Sequence, residues 1–260
     1  MVGRLSLYST DYMRSTFVGL RNFTGALRDE HFLRSFANVF WFVLFIGPLG
    51  IGIPYWVALF LQRFSRRAQA AGRFICYVPS LSSGLVMALL WRWFLRRDGL
   101  INAFLTYAGL EAVGWLGQPW PARVAVAMAA LSAGPGMFVI LFSAAILAIP
   151  KELREAATID GATERQYRRW VLRPLLMPTV LLAVLLMIVG TMQSWETIYV
   201  LFPAGGPRGS TATPVYEIFM TAFQYGRAGA AAAKGILLIG VIALIVAVKQ
   251  RVERWTGAGQ

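Results

Sequence analysis

Long uncharged apolar runs alternate with short basic segments along this chain. Four of these runs come close to or exceed the roughly 20 residues that a helix needs to cross a bilayer. They cover residues 35–62, 74–91, 124–150 and 174–195. A fifth run, 235–248, reaches that length when the small residues 228–233 are added, with Lys234 inside it or at its outer end. The pattern predicts an all-α integral membrane protein with five transmembrane helices, at about 35–62, 74–93, 124–149, 174–201 and 230–248.

The composition favours a membrane protein over a soluble one. Of the 260 residues, 57% are hydrophobic and 14% are charged, whereas soluble domains usually carry about 25% charged residues. The net charge of +13 would suggest nucleic-acid binding in a soluble protein. Here the basic residues lie between apolar runs, so we expect a lipid bilayer and no nucleic acid as the partner. The single Cys76 excludes a disulfide framework, and the single His31 is expected at the surface.

The basic residues also predict the orientation of the spans, because cytoplasmic loops are enriched in Lys and Arg. The segments after the first span, after the third span and at the C-terminus are basic, and their alternation allows all three to be cytoplasmic. We therefore predict an external N-terminal segment 1–34, a transmembrane domain 35–250 with a cytoplasmic loop 150–173, and a cytoplasmic tail 251–260. The five arginines of residues 1–34 fit an external position poorly. A span before residue 1, or a helix supplied otherwise, would account for them.

Several helix breakers lie inside the predicted spans. They are Pro48, Pro54, Pro79 and the run Gly134, Pro135 and Gly136. Membrane helices tolerate such residues when neighbouring helices or a cavity satisfy the freed backbone groups. Each position fits either an ordinary kink or a broken helix that lines a transport path.

The most informative segment is residues 150–178, which joins the third and fourth predicted spans. Pro150 suits the first turn of a helix, where its missing N–H costs nothing, and the acids that follow lie where the helix dipole favours them. Gly161 can end that helix, and Thr163 with Gln166 has the capping-box spacing that starts another. The segment therefore predicts a helix, a turn and a second helix on the cytoplasmic membrane face.

The first of these helices offers a flat surface with anionic points. Ala156 and Ala157 are small enough for another protein to approach closely, and Glu155 and Asp160 lie beside them. Basic residues between 165 and 173 face lipid headgroups or water. This is the layout of a short helix that fits into a groove on a partner. A solvated amphipathic loop is the alternative.

The same segment resembles the EAA loop of binding-protein-dependent ABC importer permeases, whose pattern is approximately E-A-A, three residues, G, and a proline ahead of the next span. The matching positions are Glu155, Ala156, Ala157, Gly161 and Pro174, and the run Asp160, Gly161 and Ala162 resembles the carbohydrate-importer version. The resemblance implies that the loop is a coupling helix, seated in a cleft of the ATP-binding subunit and passing ATP-driven closure into the spans.

Further similarities extend along nearly the whole chain, at residues 18–23, 98–102, 205–211 and 221–226. The maltose-type sugar permease is the subgroup that the chain most resembles. The resemblance implies five helices of the ABC importer permease (MetI-like) core in a bacterial cytoplasmic (inner) membrane. It also implies three kinds of partner: an ATP-binding subunit dimer, a second permease subunit in a hetero-dimer, and an extracytoplasmic solute-binding protein. The chain departs from the family at Ala204, where the family tends to have Thr, and it lacks the family's usual first span.

No ATP-binding motif occurs in the sequence. None of the three lysines, Lys151, Lys234 and Lys249, is preceded by Gly and followed by Ser or Thr, so no P-loop can form. The sequence shows no metal-ligand cluster and no pairing of a nucleophile with a histidine. We therefore expect no cofactor and no enzymatic activity in this chain, with ATP hydrolysis in a separate subunit.

Polar and aromatic side chains late in the fourth span are candidates for the solute path. Gln193, Ser194, Trp195 and Glu196 combine an aromatic face, which suits a sugar ring, with groups that bind hydroxyls. Helix packing is their alternative role. The resemblance implies a permease subunit of an ATP-driven importer that forms half of the translocation path for a carbohydrate. A phosphorylated polyol as the solute and an ion-coupled secondary transporter are the alternatives, although the spans contain almost no paired acids or histidines for an ion relay.

Overall fold

Helices long and apolar enough to cross a membrane dominate the computed structural model, which describes residues 2–11 and 14–255. Three single helices meet that condition: α3 Glu30–Leu61, the continuous helix Glu164–Gln193 and α14 Ala228–Trp255. Two pairs of helices, each interrupted by a sharp bend, bring the candidate spans in the described residues to five at most. The predicted all-α integral membrane fold is confirmed, and five is the upper number of spans that length and composition allow.

The first bent pair contains the second predicted span, in which Pro79 left either a kink or a broken helix open. α4 Arg66–Tyr77 continues into a short 3₁₀ turn, Val78–Leu81, and ends there. α5 Gly84–Phe94 then begins as a new helix, where the Ser83 Oγ accepts a hydrogen bond from the Leu85 N–H at 3.3 Å. Because a capping serine satisfies the free N–H groups of a helix start, one apolar run is divided into two helices.

The second bent pair consists of α7 Pro119–Ala133 and α8 Pro135–Leu147. A Cβ atom at Gly136 would overlap the backbone carbonyl oxygen of Cys76. α8 and α4 therefore approach each other at backbone contact, which small residues permit between membrane helices. Gly136, one of the predicted helix breakers, is therefore explained by the close packing of α8 against α4.

The remaining described elements are short. β1 Tyr8–Asp11 and β2 Arg14–Phe17 form a two-stranded antiparallel hairpin, in which Tyr8 pairs with Phe17. This hairpin is an addition to the helical architecture that the sequence predicts. The other helices and helical turns are α1 Val2–Leu5, α2 Arg21–Arg28, α6 Leu100–Tyr107, α9 Lys151–Ile159, α10 Glu164–Tyr167, the π turn Arg168–Leu172, α11 Arg173–Gln193, α12 Glu196–Leu201, the 3₁₀ turn Pro207–Gly209, α13 Pro214–Phe219 and the π turn Met220–Gln224.

Other predicted boundaries differ from the helices as well, and α3 begins at Glu30, within the segment 1–34 that the sequence predicts to be external. The fourth predicted span, 174–201, is not one helix, because α11 ends at Gln193 and α12 begins at Glu196. The predicted tail 251–260 is helical up to Trp255, and its residues 256–260 lie outside the described residues.

The chain divides into two compact units. The first unit contains residues up to 46, 83–130 and 188–244, and the second contains 47–82, 131–187 and the residues from 245. In the first unit, Ile198, Ala212 and Tyr216 form a buried cluster. In the second unit, Phe142 packs with two fully buried alanines, Ala58 and Ala183. Small residues at such contacts let helices approach closely.

Candidate functional site

Residues 150–162 form an exposed helix and turn in the second unit. None of the residues of α9 is buried. The helix ends at Gly161, whose φ of +73° lies in the left-handed region that favours glycine. The Gly161 N–H donates to the Thr158 carbonyl at 3.1 Å and the Ala162 N–H donates to the Ala157 carbonyl at 2.9 Å. These bonds satisfy carbonyls that the helix end leaves free, and they confirm the predicted end of the helix.

Thr163 begins the second helix, as the sequence predicts. The Thr163 N–H donates to the Gln166 Oε1 at 2.8 Å, and the Gln166 N–H donates to the Thr163 Oγ1 at 3.4 Å. The next residue, Glu164, accepts from Arg154 of α9 at 3.3 Å and from Arg168 at 3.0 Å. Such exposed ion pairs add little stability, and these two join α9 to the helix that follows it.

One face of α9 is uncovered. Glu152, Glu155, Ala156 and Ile159 are spaced at i, i+3, i+4 and i+7, so they share a face of the helix. The Ile159 side chain is 86% exposed. An apolar anchor beside two carboxylates suits a partner groove with an apolar floor and a basic edge. The sequence analysis missed Ile159, because one isoleucine in a short helix fits a buried position equally well; its i+4 spacing from Glu155 is the signal that could have found it.

The predicted coupling and solute-path residues lie in different units. In the second unit, Glu155, Ala156, Asp160 and Gly161 are exposed, and Ala157 and Ala162 are partly buried. The four solute-path candidates, Gln193, Ser194, Trp195 and Glu196, lie together in the first unit. The structure therefore gives two separate sites, one in a surface loop and one at a helix break.

The helix break lies at Ser194 and Trp195, between α11 and α12. The Ser194 Oγ donates to the Thr191 carbonyl at 2.9 Å, which replaces part of the lost helical bonding. The Ser194 carbonyl accepts from the Thr213 Oγ1 at 3.0 Å. Backbone groups at a break inside a membrane protein need such partners, so the break is held by a residue from a distant part of the chain.

Aromatic side chains cluster beside this break. The Trp195 and Phe219 rings stack with centroids 4.3 Å apart at an interplanar angle of 22°. Tyr199 meets Phe219 edge-on at 5.4 Å, and Phe223 follows at 5.1 Å. One face of Trp195 is therefore used in packing, which is the alternative role that the sequence left open for it. The sequence analysis missed Phe219, whose approach to Trp195 depends on the tertiary fold, and Phe223, which packs against Phe219.

Glu196 lies at the start of two helices. It occupies the first turn of α12, and its Oε2 is 3.1 Å from the point where a Cβ atom at Gly84 would stand. Gly84 is the first residue of α5. A carboxylate near a helix N-terminus interacts favourably with the helix dipole, so the glycine lets the Glu196 charge reach a stabilising position.

A buried Asn38 and a partly buried Arg123 hold the loop that follows α12. The Asn38 side chain is 1% exposed, and its Nδ2 donates to the Gly209 carbonyl at 2.8 Å and to the Ala212 carbonyl at 3.0 Å. The Arg123 Nε donates to the Ser210 carbonyl at 3.2 Å. Buried carbonyls of a loop require partners of this kind. The loop is thus fixed just ahead of Thr213, which supports the helix break.

The lysine inside α14 is paired. The Lys234 Nζ lies 2.7 Å from the Asp29 Oδ2, 2.9 Å from the Thr221 Oγ1 and 5.4 Å from the centre of the Phe32 ring. The Asp29 Oδ1 accepts from the His31 and Phe32 N–H groups, so the same carboxylate caps α3. The sequence analysis identified Lys234 as an ionisable residue in an apolar run but could not identify Asp29, which lies far away in the sequence.

Two carboxyl groups near this lysine have shifted pKa values in opposite directions. Burial acts to raise the pKa of Asp29, but the hydrogen bond and charge of Lys234 hold that pKa below its ordinary value. Burial raises the pKa of Glu217, and the charges of Lys234 and His31 oppose this only in part. These four residues line a cavity of about 800 Å³. The His31 side chain is exposed, which confirms its predicted surface position.

Within the described residues, no group of three or more His, Cys, Asp or Glu side chains could hold a metal ion.

Comparison with known families gives a match over most of the chain. A family described as "Binding-protein-dependent transport system inner membrane component" matches residues 36–257. The diacetylchitobiose uptake system permease protein NgcF of Streptomyces coelicolor is 30% identical over 267 residues, which cover 97% of this chain and 74% of that protein. The trehalose/maltose transport system permease protein MalF of Thermococcus litoralis is 32% identical over 216 residues, which cover 82% of this chain and 70% of that protein.

Comparison with solved structures gives the same kind of protein. A chain of a bacterial ABC transporter involved in the import of the acidic polysaccharide alginate superposes with a TM-score of 0.82 at 25% identity. The match covers 96% of this chain and 87% of that chain. A chain of the MetNI methionine ABC transporter superposes with a TM-score of 0.58 at 20% identity, over 86% of this chain and 95% of that chain, and shares the fold.

Proposed function

We propose that this chain, which belongs to the family of binding-protein-dependent transport system inner membrane components, carries a carbohydrate through the membrane as a permease subunit of an ATP-driven importer. Membership confirms the family resemblance inferred from residues 150–178, and the chain is a multi-pass protein of the inner membrane. The uncovered face of α9 carries the proposal, because Ile159 and Glu155 are exposed there in a helix with no buried residue.

α9 receives the movement of an ATP-binding subunit. Ile159 is the apolar anchor of this contact. The predicted coupling residues form the rest of it: Glu155, Ala156, Ala157, Asp160, Gly161 and Ala162. Glu164 then passes the movement on, because it is bonded to Arg154 in α9 and to Arg168 in the helix that continues into α11. ATP is hydrolysed in a separate dimer of ATP-binding subunits, since this sequence has no P-loop.

The loop 150–173 and the C-terminal tail face the cytoplasm, and the segment 1–34 faces outward. This orientation follows the distribution of basic residues. A second permease subunit forms the other half of the path, and an external solute-binding protein delivers the solute. A solved bacterial alginate ABC transporter in complex with an alginate pentasaccharide-bound periplasmic protein supports the delivery by a solute-binding protein.

The solute passes the helix break at Ser194 and Trp195. Aromatic rings suit the apolar faces of sugars, and the Gln193 amide and Glu196 carboxylate suit their hydroxyl groups. The substrates in the names of similar proteins are consistent with a carbohydrate: diacetylchitobiose, trehalose and maltose, and alginate. We therefore assign an oligosaccharide as the cargo.

Reconstitution of the transporter tests the function and the cargo separately. The chain is purified with the ATP-binding subunit, the second permease and the solute-binding protein encoded with it, and uptake of radiolabelled disaccharides into proteoliposomes is measured with and without ATP. We expect ATP-dependent uptake that is lost when this chain is omitted. ATP-dependent uptake of glycerol 3-phosphate in place of sugars would contradict the cargo alone. A chain that never associates with an ATP-binding subunit would contradict the importer assignment.

A further inference from the structure

A groove in the second unit has a lining of which the proposed transport function uses only Glu164 and Arg168. It has a volume of about 810 Å³ and lies between α3 and the helix Glu164–Gln193. Five arginines and a single acid supply its charged lining: Arg63, Arg165, Arg168, Arg169, Arg173 and Glu164. Apolar and aromatic side chains line the rest, among them Ile51, Tyr55, Trp56, Leu59, Met177 and Val180.

The lining changes from basic to apolar along the helix Glu164–Gln193. Arg165, Arg169 and Arg173 are followed on the same face by Met177 and Val180, because each step is three or four residues. The π turn Arg168–Leu172 lies at the basic end, and π turns inside helices frequently occur at functional sites. One wall of the groove is therefore cationic at one end and apolar at the other.

The facing wall has the same gradient. On α3, Ile51, Tyr55 and Leu59 follow one another at steps of four, and Arg63 comes next, just after the helix ends. Leu59 packs in one cluster with Leu172 and Leu176. Leu59 therefore lies beside the part of the helix Glu164–Gln193 that carries Arg169 and Arg173. The basic ends of the two walls therefore coincide, and so do their apolar ends.

Most of these arginines have no counter-ion among the residues that the structure describes. Arg168 pairs with Glu164 at 3.0 Å, and Arg154 from outside the groove pairs with the same carboxylate. In the part of the chain that the structure describes, no carboxylate lies within ion-pair distance of the other four arginines of the groove, Arg63, Arg165, Arg169 and Arg173. Guanidinium groups match phosphate oxygens in geometry and charge. The basic end of the groove thus suits a phosphate.

We infer that this groove binds an anionic phospholipid, with the phosphodiester head among the arginines and an acyl chain along the apolar end. A free phosphate would use only the basic end. A lipid matches both ends, and the chain lies in a bilayer where such lipids are abundant. Basic pockets between spanning helices bind anionic headgroups by this chemistry. Trp56, which is 63% exposed, supplies an amphipathic ring at the rim.

Native mass spectrometry of the full chain in its complex tests the site, with phosphatidylglycerol and phosphatidylcholine as probes. Arg169→Gln/Arg173→Gln removes two groove cations, and Arg66→Gln/Arg67→Gln removes two exposed cations that do not line the groove. Gly52→Leu places a side chain in the apolar end, where a Cβ atom meets no atom within 4 Å. Gly190→Leu is its control, at a second helical glycine with open space around it and outside the groove.

We expect phosphatidylglycerol to bind in preference to phosphatidylcholine. The affinity for phosphatidylglycerol should fall about fivefold for each groove arginine removed. It should also fall in Gly52→Leu and stay unchanged in both control variants. Inorganic phosphate should not displace it. Three results would overturn the assignment: equal binding of both lipids, an equal loss in the two double-arginine variants, or full displacement by inorganic phosphate, which would indicate a phosphate site without a lipid.

Discussion

The Lys234 Nζ lies 2.7 Å from the Asp29 Oδ2, so a cation inside an apolar helix has its counter-ion at the start of another helix. Lys234 is 4% exposed, and the Thr221 hydroxyl lies 2.9 Å from the same ammonium. A buried charge is costly unless it is paired and hydrogen-bonded. The pair therefore fixes the beginning of α14 against the beginning of α3.

Replacing Lys234 by Met should destabilise the protein, because the Asp29 carboxylate loses its counter-ion. We expect a loss of about 2 kcal/mol in the free energy of unfolding, below the 3–5 kcal/mol typical of fully buried pairs, since the Asp29 side chain is 31% exposed. Thermal unfolding in detergent measures it. Lys151→Met, at an exposed lysine, is the control, and Asp29→Asn/Lys234→Met should recover part of the loss. Equal melting temperatures for Lys234→Met and Lys151→Met would contradict this prediction.

The effect of Lys234→Met should also depend on pH. The pKa of Asp29 is lower in the folded protein than its ordinary value of 3.8. Asp29 therefore contributes stability that is present above that ordinary value and is lost as the pH falls through the folded pKa. The difference in melting temperature between the wild type and Lys234→Met should accordingly shrink in acid. A difference that stays constant or grows in acid would show that Asp29 is not the group responsible.

Glu217→Gln should stabilise the protein most at high pH. Burial raises the pKa of Glu217 above its ordinary value of 4.5. The stability that Glu217 contributes is therefore fully present below pH 4.5 and is lost as the pH rises through the folded pKa. The glutamine amide does not ionise, so the variant keeps its stability as the pH rises. The gain in melting temperature should be larger at about pH 8 than at about pH 4. Glu111→Gln, at an exposed acid, should give no gain at either pH.

Gly161→Ala should weaken coupling through the backbone alone. The φ of Gly161 is +73°, and a Cβ atom there meets no atom within 4 Å. The alanine therefore costs only the strain of the left-handed conformation, about 1 kcal/mol. That strain favours another backbone conformation at residue 161 and so another direction for α9. We expect lower ATP-dependent uptake with normal membrane insertion. Gly190→Ala lies in α11 at a glycine without positive φ, and it should leave uptake unchanged.

The aromatic cluster predicts a graded effect at Trp195. Trp195→Phe keeps a ring that can stack on Phe219, whereas Trp195→Ala removes the 4.3 Å contact. The stacking of two aromatic rings contributes about 0.5–1.5 kcal/mol beyond the area that it buries. If Trp195 lies on the solute path, uptake of oligosaccharide should therefore fall several-fold in the alanine variant and little in the phenylalanine variant. Trp93→Ala, at a 57% exposed ring, is the control. Equal uptake by Trp195→Ala and Trp93→Ala would remove Trp195 from the solute path.

Local signals account for the parts of the fold that the sequence predicts well. The first apolar run becomes α3, and the loop 150–173 becomes two helices because Gly161, Thr163 and Gln166 are near neighbours whose hydrogen bonds depend on few other residues. A helix end and a capping box are decided within a few positions of the chain.

Other features depend on distant residues and could not be predicted. No proline or glycine marks the break at Ser194, whose carbonyl is satisfied by Thr213, a residue 19 positions away. The loop before Thr213 is held in turn by Asn38. The exposure of Ile159 is equally a result of the tertiary structure, because only the fold shows that nothing within the described chain covers it.

The central claim is that the exposed face of α9 receives the force of ATP hydrolysis. Its most direct test is the ratio of solute uptake to ATP hydrolysis in proteoliposomes that contain the complete transporter, with Glu155→Lys, Ile159→Ser and the exposed control Glu111→Lys. We predict that both α9 variants insert normally but take up far less solute per ATP hydrolysed, because the ATP-binding subunit no longer moves α9, while Glu111→Lys behaves as the wild type. Wild-type uptake per ATP in Glu155→Lys and Ile159→Ser would contradict the account.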